Sequence, residues 1–330
     1  MKLWLEKIHL DLSVNWKLSR NQTTFKENFI VHLETSLGIF RSEIAPNIRY
    51  GETVNSIKAQ AEEWASFTDL TRINSLEVLS RELDHRPMHH SLRFALESVF
   101  ISYLATVQGQ SLVEFLQLPP LKAAATSFSM PIMPVGEIAD YLKPLGAFQS
   151  LKIKVDAESA EEMLKEIVRH TSVKLRVDAN EGWKDLDAYM RFEQKIKRMN
   201  IELIEQPFPS DLGLEYRELK KHTSFTLLAD ESIEDVGDFS ELKKQFHAVN
   251  IKLMKTGSLI KARDLILEAK RHDMKAMIGC MIETTIGISY GMLFNSMVEY
   301  VDLDGFLLIK DEPFKLVKEN EGILDIAQGV

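Results

Sequence analysis

Apolar and polar residues alternate over KLWLEKIHLDLSV, and the runs FKENFIVHLETS and GIFRSEIAP continue a strand-like pattern. In TVNSIKAQAEEWASF and HHSLRFALESVFISYLATVQG the period changes. Apolar residues there recur at three- and four-residue steps, which predicts helices. Strands followed by helices suggest an α+β unit over residues 1–118.

Beyond PPLKAAATSF the pattern becomes a repeat of strand and helix. Candidate strands are SFSMPIM, SLKIKVD, SVKLRVD, IELIEQ, FTLLAD, AVNIKLM, KAMIGC and EYVDLDG, separated by helical stretches such as SAEEMLKEIVRH, KDLDAYMRFEQKIKRM and SLIKARDLILEAKRH. Their polar ends fall at Lys154, Asp178, Glu205, Asp230, Lys252, Cys280 and Asp304, at steps of roughly 22 to 28 residues, which suits one βα unit each. Eight such units predict an α/β fold, a (β/α)8 TIM barrel over residues 119–312. Residues 1–118 then form a capping domain that 313–330 completes. An open doubly wound sheet is the alternative.

Composition narrows the function classes. Of 330 residues 45% are hydrophobic and 27% charged, as in ordinary globular proteins. The net charge of −9 and the lack of a basic cluster argue against nucleic acid as a partner. One cysteine, Cys280, allows no intramolecular disulfide and fits a reducing compartment. The alternating start resembles a strand and not a signal peptide, and no apolar run of about 18 residues is present, so the expected location is the cytoplasm, with no membrane partner.

The chemistry concentrates at the predicted strand ends. Lys152 and Lys154 are two apart in SLKIKVD and share a face, while Leu151, Ile153 and Val155 take the other. Three consecutive strands each deliver one carboxylate, Asp178, Glu205 and Asp230, with Asn180 two residues after the first. Carboxylates converging at the C-terminal face of a barrel repel each other unless a cation neutralises them. Oxygen ligands without His or Cys point to a hard divalent ion, Mg²⁺ before Ca²⁺, and disfavour zinc. The alternative is that Asp178 and Asp230 cap the helices that follow. Lys252 faces the cluster from the side opposite Lys152 and Lys154. In KLMK, strand periodicity puts Lys255 on the outer face and leaves Lys252 as the candidate. Adjacent cations and a metal would lower a lysine toward neutrality, where it acts as a base; paired ions at a barrel rim are the structural alternative.

KIK, DANEGW, EQP, ADES and NIKLMKTG stand in an order and spacing that resembles the enolase superfamily, in its muconate-lactonizing branch, across nearly the whole chain. Superfamily sites of this kind use a lysine or histidine base with Mg²⁺ stabilising an ene-diolate. The strand end VDLDG resembles the paired aspartates, here Asp302 and Asp304, by which dipeptide epimerases hold a substrate's free ammonium; a plain turn with Asp in its usual role is the alternative. The resemblance implies a Mg²⁺-dependent dipeptide epimerase. Asp178, Glu205 and Asp230 would hold the metal, Lys154 and Lys252 would be the opposed acid and base, and Lys152 would neutralise carboxylate charge and lower the pKa of Lys154. Other racemases, o-succinylbenzoate synthases and muconate cycloisomerases of the superfamily are the competing reading.

Further candidates for substrate contact are Ser129 on the first strand and Cys280 and Met281 in CMIET, with a core role as the alternative for the last two. The stretch WKLSRNQTTF reads as a polar lid, in which Arg20, or Arg49 in IRYGET, would meet an acidic side chain or remain a solvated surface residue. Two departures from the family pattern concern loops: Ser258 stands where relatives commonly have a second glycine, and the step from Asp230 to Lys252 is slightly short. Homo-oligomers are common among such barrels.

Overall fold

The computed structural model describes residues 1–326; residues 327–330 of the expected cap-completing segment lie outside them. The period-two stretches form an antiparallel sheet, β1 (Lys2–Lys17), β2 (Gln22–Thr35) and β3 (Gly38–Ile44), with β2 in the middle. Asn28 to Leu33 of β2 are buried on both faces, because the strand lies between the cap helices and the barrel. The cap helices are α1 (Val54–Phe67), α2 (Leu76–Asp84), α3 (His90–Val107) and the short α4 (Leu112–Phe115). α3 is the core of this unit: thirteen of its eighteen residues are buried, so its apolar surface runs all round.

The remainder is the predicted barrel. After the short β4 (Ala124–Ala125) come eight parallel strands: β5 (Phe128–Met130), β6 (Ser150–Lys154), β7 (Lys174–Asp178), β8 (Ile201–Glu205), β9 (Thr226–Ala229), β10 (Ala248–Lys252), β11 (Lys275–Gly279) and β12 (Tyr300–Asp302). They pair in sequence order. The ends of the series meet where the Ser127 N–H donates to Val301 O (3.3 Å) and the Leu303 N–H to Thr126 Oγ1 (2.9 Å), which excludes the open sheet. Helices α5 (Ile138–Leu142), α6 (Ala160–His170), α7 (Leu186–Ile196), α8 (Gly213–His222), α9 (Phe239–Gln245), α10 (Leu253–Thr256), α11 (Leu259–Arg271) and α12 (Thr285–Met292) follow the first seven strands. A hairpin, β13 (Val317–Asn320) and β14 (Ile323–Ile326), pairs with β4. Among the described residues no helix is long and apolar enough to cross a membrane.

Each strand separates two environments. Outward residues such as Leu151, Ile153, Val177, Ile204 and Ile251 join the main core beneath the helices. Inward residues form a lower apolar plug of Leu203, Leu228, Ala248, Met277 and Tyr300, with Arg176 stacked on the Tyr300 ring. Above the plug the inward positions turn polar, at Lys152, Lys154, Asp178, Glu205, Asp230 and Lys252. Ser258 has a structural explanation: it caps α11 and donates to Glu97 of α3 (2.7 Å), tying cap to barrel.

Candidate active site

Strand register sets the site. Lys154, Asp178 and Glu205 are neighbours across β6, β7 and β8, so their side chains enter the barrel at one level. Neither Asp178 nor Asp230 caps a helix: Asp185 caps α7 and Asp238 caps α9. All three strand-end carboxylates are almost completely buried. The loops above them are held in left-handed backbone at Asn180 (φ 43°), Glu181 (φ 65°) and Gln206 (φ 41°), a costly conformation for residues with a Cβ and one that clusters at functional sites.

Lysines stand between the carboxylates. Lys152 Nζ lies 3.0 Å from Asp178 Oδ2, 2.8 Å from Glu205 Oε2 and 2.8 Å from Asp302 Oδ2. Lys154 Nζ is 2.5 Å from Asp178 Oδ2, and Lys252 Nζ is 2.8 Å from Asp230 Oδ2. Burial pushes the Lys152 and Lys252 ammonium groups down, but the carboxylates around them outweigh it and hold both above the ordinary lysine range. Glu205 shows the opposite imbalance: burial, then Asp178, drives it up to about 7. Its Oε1 accepts from Asn250 Nδ2 (2.8 Å), while Oε2 lies near Lys152 with no hydrogen bond.

Lys255 overturns the strand-periodic reading of KLMK. The chain leaves the extended conformation at Leu253 and makes the single turn α10, which swings Lys255 back under the strand. Its fully buried ammonium donates to Asp230 Oδ1 (2.5 Å), Asp230 O (2.6 Å), Ile233 O (3.0 Å) and Asn250 O (3.2 Å). Lys255 thus fixes Asp230 from behind, while Lys252 meets it from the cavity. Asn250, on the inward face two residues before Lys252, is a second residue absent from the expected site. Its Nδ2 reaches Glu205 while its Oδ1 lies against Gly279 on the neighbouring strand, where any Cβ would stand 2.4 Å from that oxygen.

Asp302 and Asp304 both border the cavity, in unequal states. Burial pushes Asp302 up, but Lys152 outweighs it and holds the group low, and Asp302 accepts from Ser127 Oγ (2.5 Å). Asp304 accepts from the Ser129 N–H, and burial followed by Asp302 pushes it up to about 7. Of the pair, Asp304 is the one short of a cation. Ser129 meets the site through this backbone N–H and also borders the cavity. Asn180 donates from its N–H to Asp178 Oδ1 (3.1 Å) and from Nδ2 to Glu231 Oε1 (3.3 Å). Cys280 and Met281 pack on the main core and border the cavity as well. Met281 Sδ accepts from Asn47 Nδ2 of the cap (3.4 Å).

The cavity, about 390 Å³, is roofed by the cap. Its volume suits a small ligand. The two arginines are partly exposed, and both are paired. Arg20 donates to Glu181 Oε2 (2.6 Å) and Glu231 Oε1 (2.8 Å), and Arg49 to Glu181 Oε1 (3.0 Å). With Ser19 donating to Asn180 O (2.9 Å), the Arg20 contacts close the stretch WKLSRNQTTF onto the loops after β7 and β9.

Among the described residues no three His, Cys, Asp or Glu side chains are gathered closely enough to grip an ion as they stand. The nearest to such a set is Asp178, Glu205 and Asp230, with ammonium groups between them. Their chemistry fits a hard divalent cation: oxygen donors only, buried, and close enough that burial and then Asp178 drive Glu205 up.

A family model described as "Enolase C-terminal domain-like" matches residues 136–315. An L-Ala-D/L-amino acid epimerase of Flavobacterium johnsoniae is 28% identical over 98% of this chain and 96% of its own length. An N-acetyl-D-glutamate racemase of a Pseudoalteromonas species is 30% identical over 81% of this chain and 83% of its own. Among solved structures, a dipeptide epimerase of Methylococcus capsulatus, complexed with Mg and L-Arg-D-Lys, superposes with a TM-score of 0.85 at 26% identity, covering 99% of this chain and 96% of that one.

Proposed function

The chain belongs to the enolase C-terminal domain-like family, and from that premise we propose that it is an isomerase that inverts the α-carbon of a dipeptide's C-terminal residue by 1,1-proton transfer. The observation that carries this reading is the opposition of Lys154 and Lys252. β6 and β10 are four places apart in a closed ring of eight strands, hence on opposite sides, and both lysines border one cavity. One side of a substrate α-carbon held between them faces Lys154 and the other faces Lys252.

Asp178, Glu205 and Asp230 would hold Mg²⁺, which supplies positive charge to the substrate's carboxylate and to these three side chains. Lys154 is ion-paired to Asp178 and Lys252 to Asp230. A lysine accepts a proton only as the neutral amine, so each acts once its carboxylate is neutralised from another side. The lysine on one face then removes the α-proton, and the one on the other returns a proton there. Lys152, within 3.0 Å of three carboxylates, balances charge without facing away from them to act as a base. Asp304, with Asp302 beside it, offers a buried anionic contact for a free α-ammonium group.

The test is α-proton exchange in D₂O with Mg²⁺ across free dipeptides and their N-acetyl counterparts. Exchange confined to free dipeptides, abolished by chelation and by Asp304→Asn, is the expected result. Equal exchange of the N-acetylated set would replace this reading with an N-acylamino acid racemase.

A further inference from the structure

The cavity is bordered by one cation that no carboxylate among the described residues answers. Lys26 lies on β2, directly opposite Leu10 of β1, and directly opposed residues in an antiparallel pair share a face. Leu10 packs with Leu12, Trp16, Ile282, Leu308 and Ile309, so the Lys26 side chain runs along an apolar cluster. Two residues on, and hence on the same face, Asn28 is fixed by donating to Glu43 Oε1 (2.8 Å) and Ile282 O (3.1 Å). This face of β2 is therefore the one docked over the barrel mouth, and Lys26 borders the same cavity as Lys154, Lys252 and Asp304.

The other cations of the cavity have partners. Arg20 and Arg49 are taken by Glu181 and Glu231, Lys152 and Lys154 by Asp178, and Lys252 by Asp230. Glu27, next to Lys26 in sequence, projects from the other face and pairs with Lys7. Burial alone acts on the Lys26 ammonium and pushes it down, with no neighbouring charge to offset it. An ammonium against apolar surface is costly unless an anion meets it.

We propose that Lys26 is the residue that selects the substrate, receiving a side-chain carboxylate, so that the preferred dipeptides carry an acidic residue. This rests on the epimerase reading above, in which the two termini of the dipeptide are already placed. The α-ammonium goes to Asp304 and the α-carboxylate to the floor of the site. A side chain is the remaining group that can bring charge to the cap. The arginines of the lid would hold that lid closed and leave selection to Lys26.

The experiment compares L-Ala-L-Glu with its uncharged isostere L-Ala-L-Gln, by α-proton exchange and by calorimetric binding with Mg²⁺ present, in the unmodified protein, Lys26→Met and Lys26→Arg. A charge-assisted contact at this site predicts a preference for the glutamate dipeptide of about tenfold or more in kcat/KM and in affinity. Lys26→Met loses the preference through KM, and Lys26→Arg keeps it. Exchange of both dipeptides with no preference, or a preference that survives Lys26→Met, overturns the role of Lys26 and leaves the epimerase reading standing. No exchange of either dipeptide overturns the epimerase reading. The calorimetric ratio then decides on Lys26 alone: a gap lost in Lys26→Met upholds it and no gap refutes it.

Discussion

Glu283→Gln tests how the cap is fastened to the barrel. Glu283 follows β11, is 4% exposed, and accepts the Met281 N–H through Oε1 (2.9 Å). Beside it lies Glu43 of β3, fully buried, which accepts from Asn28 Nδ2 (2.8 Å), Thr284 Oγ1 (2.6 Å) and the Thr284 and Gly287 N–H groups (2.9 and 3.1 Å). With these donors gathered on Glu43, Glu283 is the weaker acid. Burial, and then repulsion from Glu43, push it from 4.5 up to about 8. Between those values the native chain holds a proton that the unfolded chain has released, so stability falls as pH rises, by up to about 1.4 kcal/mol per unit, and levels off above about pH 8. Between about pH 6 and about pH 8 this one group accounts for a loss of roughly 2 to 3 kcal/mol. Glutamine keeps the acceptor for Met281 and can donate its amide to Glu43 without titrating. Urea unfolding midpoints, followed by circular dichroism from about pH 5 to about pH 9, measure the difference, in which groups away from Glu283 and Glu43 cancel. The variant is expected to match the unmodified protein at the acid end and to exceed it by a few kcal/mol at the alkaline end. Parallel curves would mean that Glu283 titrates normally and that the two carboxylates do not compete.

Lys252→Ala is expected to lower epimerisation by about 10² to 10⁴-fold, the usual contribution of a positioned acid or base. It retains exchange of the α-proton from the stereoisomer whose hydrogen faces Lys154, and deuterium uptake read separately from each stereoisomer checks this. Unimpaired inversion would remove Lys252 from the chemistry. Gly279→Ala puts a methyl group 2.4 Å from the resting position of Asn250 Oδ1. Displacement of Asn250 releases Glu205, with an expected stability loss of about 1–3 kcal/mol by urea unfolding. An unchanged midpoint would show that the Asn250 contact with Glu205 can be spared.

What could be read from the sequence, and what could not, follows the range of the contacts involved. The barrel was legible because each strand carries its own two-sided code. In SLKIK the period-two alternation already assigns Lys152 and Lys154 to the interior, and parallel pairing then sets Lys154, Asp178 and Glu205 level. Lys255 was hidden by a local event. A strand rule extended by three residues fails once Leu253 turns helical, and the Gly257 that closes the turn in left-handed backbone was the available signal. The states of Asp302 and Asp304 were out of reach for another reason. VDLDG shows two aspartates on one strand end, but the ammonium that takes one of them comes from Lys152, 150 residues earlier. The arginines are a sharper case. Each was weighed as a free ligand or a solvated residue, and each is bound to Glu181, from more than 130 residues away. Lys26 is their complement: on a strand where it could pass for ordinary surface charge, it borders the cavity without a counter-ion among the described residues. A specificity residue shows itself only after every charge around a cavity has been matched against its neighbours, because what marks it is the one pairing that the substrate must complete.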